Sequence, residues 1–499
     1  MSSRGSITVY LSLIFSVILT LIAGSLQSVR MAYARVLTAA AAEQGLYSVF
    51  SRFDRKLLEE YELFFLDGGC GTGIWQPGNL YQTAEETVSW VLGNGEEDRM
   101  LDGFSSALRL ESGSITSYYL ATDNHGEEFF RQVCEAMRQN LGVYGIQQLS
   151  EKIREQETIW KEQENQGESG SLDQSLEEYD QAVREAEEIQ KEEQASGTDQ
   201  GDTDTGEVSA DVPEGFVNPL EVIRRIREMG VLSLVLPSGA SVSGTEVRTD
   251  EFVSERSLQQ GFQTVSTERN VELVDKLLLN EYLLWKFPCY TKEQENGGMQ
   301  YQVEYAVAGK NSDQENLKSV AGQLLAAREA ANLVHIFASP QKRSQVNAMA
   351  ATIATSLALP VASGILAAAL AACWAFAESI LDVRELLDGG KVALVKNDAS
   401  WQLTLENLPK ILEGLDSMRK SSDHGLDYQS YLRLLLLAGD PDEINGRTMD
   451  LVEYNMRNRL GVSGFCLDHC IFSMGIRFQV TMGRQKLDIE RSYNYGTEV

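Results

Sequence analysis

An apolar stretch without a single charge covers residues 7–26 near the amino terminus, and these residues are mainly Leu, Ile, Val, Phe and Ala. A helix rises about 1.5 Å per residue, so twenty residues extend roughly 30 Å, the thickness of a bilayer's hydrocarbon core. The pattern therefore predicts a transmembrane helix over 7–26. A cleaved secretory signal is the alternative, but its apolar region is usually only about 7–15 residues long and follows a basic start. Here Arg4 is the single basic residue that precedes the run.

Beyond the predicted span, apolar residues recur mostly in steps of three and four, which is typical of one face of a helix. The series is Val29, Tyr33, Val36, Ala40, Leu46, Val49, Phe50, Phe53, Leu57 and Tyr61. We expect one helix over about 7–61, with its first half in lipid and its second half packed on a soluble body. Two helices bent at Gly45 are the alternative.

Farther along, helical and strand patterns mix without a regular β-α-β rhythm. Helices are predicted at 127–164, 218–229, 271–285, 313–337, 427–437 and 442–459. Strands are predicted at 114–122, 231–236, 300–308, 471–481 and 486–493, with a hairpin formed by 392–395 and 401–405. This mixture predicts an α+β fold.

A second uncharged run covers residues 346–377 and is also long enough to cross a membrane. Ala supplies much of this run, and Pro360 interrupts it. If the amino terminus lies inside, a second crossing would place Lys342 and Arg343 outside, against the positive-inside tendency. We therefore expect a buried Ala-rich helical hairpin that turns near Pro360, with a membrane span as the alternative.

The net charge of −30 argues against nucleic-acid binding, because the phosphates would be repelled. Residues 151–211 alone hold 20 acidic and 5 basic residues, and low hydrophobicity with high charge is typical of a solvated tether, here with helical pieces near 176–193. The predicted organisation is then a leader (1–6), a transmembrane helix (7–26), a first part of the body (27–150), an acidic linker (151–215) and a main α+β body (216–499).

The chain carries few groups that indicate chemistry. Its four histidines belong to no His-Glu-x-x-His pattern. Cys466, His469 and Cys470 form the densest set of metal-ligand types, but a structural zinc site needs a fourth ligand, usually from a second paired motif. A disulfide or two free thiols is the favoured interpretation of these cysteines. The sequence therefore predicts no catalytic residue, no cofactor and no metal.

Two weaker groups are interpreted in the same way. His125 stands beside Glu127 and Glu128, which is typical of a solvated loop more often than of an acid–base site. The Gly-x-Gly-x-Gly segment 69–73 is not followed by Lys-Ser/Thr and does not open a helix, so it does not support phosphate binding.

The segment Arg4-Gly5-Ser6-Ile7-Thr8-Val9-Tyr10, leading directly into the apolar helix, resembles the class III signal of type IV pilin-like proteins. It is most similar to the TadE and TadG pseudopilins of Tad (tight adherence) pili. The resemblance implies that a prepilin peptidase cuts after Gly5 and leaves Ser6 as the new amino terminus. Pilins usually carry Glu at the fifth mature position, where this chain has Tyr10. The difference favours a minor, initiating or purely membrane-anchored component over a subunit of a filament shaft.

Three later stretches, residues 48–67, 304–310 and 377–384, resemble a poorly characterised Gram-positive family whose members are found near Tad-type secretion and pilus components. This resemblance implies an amino terminus inside the cell and a body outside the cell membrane.

Together these observations predict a single-pass cell-membrane protein that is a non-enzymatic structural or assembly component of a Tad-like pilus or secretion apparatus. Its expected partners are membrane lipid, other single-span subunits and the prepilin peptidase, but not nucleic acid. A membrane-tethered sensor or adhesin, or an enzyme of unknown class, is the alternative.

Overall fold

The computed structural model of the chain describes residues 3–93, 108–167, 171–195, 219–237, 239–263, 271–292, 298–356, 363–411, 415 and 421–496. The helices are α1 Ser3–Phe50, α2 Arg55–Tyr61, α3 Pro77–Val91, α4 Asp123–Gly167, α5 Leu172–Ala195, α6 Pro219–Glu228, α7 Val231–Val235, α8 Leu273–Lys286, α9 Gln302–Ala308, α10 Asp313–Ala338, α11 Pro340–Ser356, α12 Ser363–Leu387, α13 Tyr428–Ala438 and α14 Pro441–Asn458. The strands are β1 Leu66–Asp67, β2 Leu108–Leu120, β3 Cys470–Met482 and β4 Gln485–Asn494. The fold is thus a mixture of helices and one sheet, in agreement with the predicted α+β class.

The chain divides into two compact units, each assembled from separated stretches. Unit 1 comprises Met1–Ala136, Asp250–Val271 and Thr448–Val499, and unit 2 comprises Met137–Thr249 and Glu272–Arg447. This division differs from the consecutive ranges 27–150 and 216–499 that the sequence predicts. The reason is long-range strand pairing, which brings the end of the chain into unit 1.

Unit 1 is built on an antiparallel sheet in which β3 is the central strand. Along one side, β2 pairs with it from Leu108↔Met482 to Leu120↔Ile471. Along the other side lie β4 and, at the start of β3, the short strand β1. The two closing strands predicted at 471–481 and 486–493 are confirmed.

The second half of α1 packs on this sheet and on α3. Its buried residues recur at helical spacing and are mostly small: Ala34, Thr38, Ala41, Ala42, Leu46, Val49 and Phe50. Gly45 lies on the same face, where an added Cβ would be 2.9 Å from Val88 Cγ2 and 3.0 Å from the Ala84 carbonyl oxygen. Gly45 therefore allows α1 to approach α3 closely, and the helix continues through it without a break.

The helix ends at Phe50, which corrects the prediction of one helix to Tyr61. A separate helix, α2, starts at Arg55 because the Asp54 carboxylate caps it by accepting a hydrogen bond from the Leu57 N–H at 3.0 Å. The Asp54 N–H itself donates to the Phe65 carbonyl at 3.0 Å. These bonds place the break between α1 and α2, five residues beyond Gly45.

Unit 2 is helical in its described part, and two of its predicted strands are wrong. Residues 231–236 and 300–308 contain the helices α7 and α9. A short apolar run cannot be assigned to a strand or a helix from periodicity alone. In α9 the five consecutive residues Gln302–Ala306 are all buried, so the alternation of apolar and polar residues there does not indicate a strand with one buried face. The predicted hairpin at 392–405 is also wrong, since Val392 forms only an isolated bridge with Leu426.

The predicted acidic linker contains well-formed helices. α4 continues to Gly167, and α5 covers Leu172–Ala195 and packs against α12. Apolar residues at intervals are buried in unit 2, namely Ile153, Trp160, Leu172, Leu176 and Tyr179. Helices are expected at 127–164 and near 176–193, but their packing into unit 2 is not, and it arises because enough apolar residues recur among the charges. Residues 168–170 and 196–215 lie outside the described residues.

Two helices are long and apolar enough to cross a membrane, judged by length and composition: Ile7–Phe50 within α1, and α12. The apolar part of α1 is fully exposed, whereas most of α12 is buried inside unit 2. α12 packs against α10 and α11, as expected for the buried half of a helical hairpin. The predicted turn at Pro360 lies outside the described residues.

Candidate functional site: the exposed face of the first helix

Within the described residues, the first half of α1 is not buried against any other element. Every residue from Ile7 to Arg30 is exposed, and the uncharged residues 7–26 form the greater part of this segment. Several of its hydroxyls turn back onto the helix, as those of Ser12 and Thr20 donate to carbonyl oxygens of the preceding turn at 2.9 and 2.8 Å. An apolar surface whose polar groups are satisfied internally is what a lipid environment requires.

On the second half of α1, a line of exposed apolar residues continues from the uncharged segment. We call this line the outer stripe; its members are Leu26, Val29, Tyr33, Val36, Ala40 and Tyr47. It lies on the side of the helix opposite to the buried face, because the two sets differ by about half a turn at 100° per residue. Val29 and Val36 are 61% and 69% exposed. The sequence pattern places Val36 and Ala40 on the same face as the later residues Leu46 to Phe50, but the structure exposes the first two and buries most of the later ones.

The spacing of the outer stripe suits contact with another helix. From Leu26 to Ala40 its members follow each other in alternating steps of three and four, which is the pattern of a coiled-coil seam. At the next position Glu43 forms an ion pair with Arg491 Nε at 2.9 Å. From Leu26 to Tyr47 the stripe extends about 32 Å along the helix.

The residues of the predicted processing site lie at the start of the same helix. Gly5 and Ser6 belong to α1, which begins at Ser3, and Tyr10 is exposed. Cleavage after Gly5 stays a prediction.

A group of four buried charged residues that the sequence analysis missed lies in unit 2. Lys396 Nζ is 2.6 Å from Glu378 Oε1 and 2.7 Å from Asp382 Oδ1. Arg328 Nε completes the group by donating to Asp382 Oδ2 at 3.1 Å. All four side chains are at most 1% exposed. The two positive and two negative charges balance, which offsets part of the cost of removing them from water.

This buried group holds a segment without regular structure onto the helices. Glu378 of α12 accepts hydrogen bonds from the Gln402 and Leu403 N–H groups, each at 2.9 Å. Arg328 of α10 donates to the Leu394 carbonyl at 3.1 Å. A cavity of about 450 Å³ in unit 2 is lined by other residues, among them Trp160, and by none of the four. The group therefore fixes the fold and is closed to a substrate.

Glu304 of α9 is a further buried acidic residue of unit 2 and lies outside this group of four. Its Oε1 accepts hydrogen bonds from the Tyr290 N–H and the Tyr428 hydroxyl, both at 2.8 Å. Its Oε2 has no partner among the described residues. Burial raises the pKa of Glu304 to about 7, because an anionic carboxylate there loses its solvation.

The densest metal-ligand group of the sequence is only partly assembled. Ligand atoms of Cys466, Asp468 and His469 lie within 4.8 Å of one another. The Asp468 carboxylate already accepts bonds from Arg256 Nη2 at 2.6 Å and from the Gln259 N–H at 3.0 Å. Asp468 is therefore bound in an ion pair that fastens residues 250–263 within unit 1. All six cysteines are free thiols in the structure, so of the two interpretations of Cys466 and Cys470 it shows two free thiols.

The two weaker groups do not form sites either. His125 is exposed, while Glu127 accepts a bond from the Tyr119 hydroxyl at 3.3 Å and Glu128 pairs with Arg131 at 2.6 Å.

In the glycine-rich loop, the Gly69 and Gly71 N–H groups donate to the Asp67 carboxylate at 2.7 and 2.5 Å. The chain's own carboxylate thus takes the place that a phosphate would need.

Comparison with known proteins gives one match. The model of a family described as "Family of unknown function (DUF5702)" matches residues 209–482, more than half of the chain. No curated protein and no solved structure matches.

Proposed function

The chain belongs to the DUF5702 family of unknown function. From the architecture of the chain itself, we propose that it is a membrane-anchored structural or assembly component of a Tad-like pilus or secretion apparatus. The uncharged part of α1 crosses the cell membrane once. The two units lie outside the cell membrane and supply protein contacts there.

The outer stripe carries this proposal. An α-helix that is apolar and exposed over 7–26 and stays apolar on one face to Tyr47 offers a continuous surface to a neighbouring single-span helix. Within lipid, helix association depends on close van der Waals packing, which small residues allow. Ala23 and Gly24 lie in this segment, and a Cβ added at Gly24 would meet no atom within 4 Å. Outside lipid, burial of the stripe adds a hydrophobic contribution.

The proposed orientation and processing depend on the pilin-like leader. Cleavage after Gly5 by a prepilin peptidase on the cytoplasmic side gives a mature chain that begins at Ser6. Tyr10 replaces the Glu that pilins usually carry, so the proposed role is that of a minor or anchoring subunit and not of a shaft subunit.

A non-catalytic role is supported by how the charged groups are used. The buried ions of unit 2 bind one another and backbone groups, and Asp468 of unit 1 is bound by Arg256. Both arrangements hold segments of chain in place.

Site-specific photo-crosslinking in membranes of the native host tests the proposal. A photoreactive amino acid in place of Val36 should give adducts that mass spectrometry identifies as single-span pilus or secretion subunits. Arg35 is the matched control, since it is exposed at the same depth but lies about 100° around the helix. Equal yields at both positions, or adducts without such subunits, would contradict the proposal.

Amino-terminal sequencing of the membrane-extracted protein tests the processing step. Ser6 should be the first residue. An intact Met1, or a start near Leu26, would contradict cleavage after Gly5.

A further inference from the structure

A cavity of about 570 Å³ lies in unit 1 between α1 and the tight turn that joins β3 to β4. The helix lines it with Leu26, Arg30 and Tyr33, and the turn lines it with Arg484 and Gln485. Two arginines therefore line one cavity, and they come from elements more than 400 positions apart in sequence.

The charge of this cavity is opposite to that of the chain. Two arginines and no carboxylate are found among the described residues that line it, although the chain as a whole has a net charge of −30. Within the described part of the chain, no carboxylate forms an ion pair with the exposed Arg484. Guanidinium groups present planar N–H donors that match the oxygen atoms of a phosphate.

The position of the cavity along α1 indicates which class of phosphate compound would fit it. Leu26 ends the uncharged segment, and Arg30 lies four residues, or about 6 Å, farther along the helix. Ala23 and Leu26 form an apolar part of the lining, and Arg30 and Arg484 form a basic part. A ligand with a phosphate next to an acyl chain fits both parts.

We propose that this cavity binds the headgroup of an anionic phospholipid at the surface of the membrane. This inference rests on the proposed membrane anchoring of α1. Basic groups near a membrane surface attract anionic lipid by about fivefold in affinity for each charge. Such a site would fix the depth and rotation of α1 and would offset, at one place, the repulsion between an acidic body and an anionic bilayer.

The test uses the full-length protein in phosphatidylcholine nanodiscs that contain a small fraction of spin-labelled lipid. Electron paramagnetic resonance measures how strongly the protein immobilises labelled phosphatidylglycerol relative to labelled phosphatidylcholine. The wild type should prefer phosphatidylglycerol at least fivefold, and Arg484→Gln should lower this preference about fivefold. Lys486→Gln is the charge-matched control, because Lys486 is exposed on the same hairpin but does not line the cavity. It should leave the preference unchanged.

Equal preference for the two lipids in the wild type, or equal effects of the two substitutions, would overturn the headgroup site and leave the anchoring intact. Displacement of phosphatidylglycerol by millimolar inorganic phosphate would overturn the lipid assignment in favour of a free anion. Failure of the protein to enter nanodiscs at all would instead contradict the proposed anchoring.

Discussion

Arg328 and Asp382 form a salt bridge of 3.1 Å inside unit 2, with side-chain exposures of 1% and 0%. Asp382 also lies 2.7 Å from Lys396 Nζ, so one carboxylate balances parts of two cations. A buried ion pair stabilises the fold little compared with apolar residues of similar shape. Removal of one partner, however, is strongly destabilising, because the other charge then stays buried without compensation.

The substitution Asp382→Asn should therefore destabilise unit 2 by about 3–5 kcal/mol, because it leaves Arg328 and Lys396 buried with an unbalanced charge. Thermal and denaturant unfolding of the full-length protein in detergent measure this change. Lys161→Gln breaks an exposed ion pair with Glu157 and should cost less than about 0.5 kcal/mol. Similar losses in the two variants would contradict the importance given to burial.

Replacement of Glu304 should change how stability depends on pH. The pKa of Glu304 is about 7 in the folded protein, above its ordinary value of 4.5, so between these two values the folded state keeps a proton that the unfolded chain has released. Stability should consequently fall as the pH rises from about 4.5 to 7. Glu304→Gln keeps an oxygen to accept from Tyr290 and Tyr428 but cannot ionise, and should lack this fall.

The free energy of unfolding of Glu304→Gln should exceed that of the wild type only slightly at pH 4.5 and by about 3 kcal/mol at pH 8. Unfolding free energies at both values of pH measure it. Glu315→Gln, at an exposed position of α10, should shift stability by less than about 0.5 kcal/mol at either pH. If the difference in unfolding free energy between Glu304→Gln and the wild type does not grow with pH, the Glu304 carboxyl is already ionised in the folded state.

Gly45→Val should destabilise unit 1 by about 1–3 kcal/mol, because any Cβ at this position is pressed against Val88 and the Ala84 backbone. The matched variant Gly24→Val places the same side chain on α1 where no atom lies within 4 Å, and should leave unfolding of the body unchanged. Unfolding followed by tyrosine and tryptophan fluorescence compares them. Equal stability of both variants would mean that α1 and α3 are less tightly packed than described.

Val36→Gln should separate assembly from folding. Val36 is 69% exposed, so the variant should fold with a stability within about 0.5 kcal/mol of the wild type. Under the proposed function it should nevertheless co-purify with markedly less of the partner subunit from membranes, because it puts an amide into the apolar stripe. Arg35→Gln is the control and should keep the partner. Undiminished co-purification of Val36→Gln would count against the outer stripe as the contact surface.

The sequence predicts the long helices and the closing strands well, because their patterns persist over many residues. The end of α1 is different, since it depends on the side chain of Asp54 and its hydrogen bond to Leu57. The sequence pattern does not separate the packed face of α1 from its exposed face, and the reason is physical. Ala34, Ala41 and Ala42 are buried because small residues let the sheet approach, whereas the larger Val29 and Val36 remain outside.

The buried charges of unit 2 could be anticipated only in part. Glu378 and Asp382 are four residues apart and directly follow an Ala-rich run, so their place on one buried helix face is readable from the sequence. Their partners Arg328 and Lys396 are not, because they come from another helix and from a segment without regular structure. In unit 1, nothing local in the sequence links the turn at Arg484 to Arg30.

The position of β3 has a consequence for biogenesis. Helix α1 is synthesised long before β3, yet β3 is the central strand of the sheet on which α1 packs. Until that strand arrives, the small residues on the inner side of α1 and the edge of β2 stay uncovered, a state prone to aggregation. The sheet of unit 1 is therefore completed only after β3 has been made.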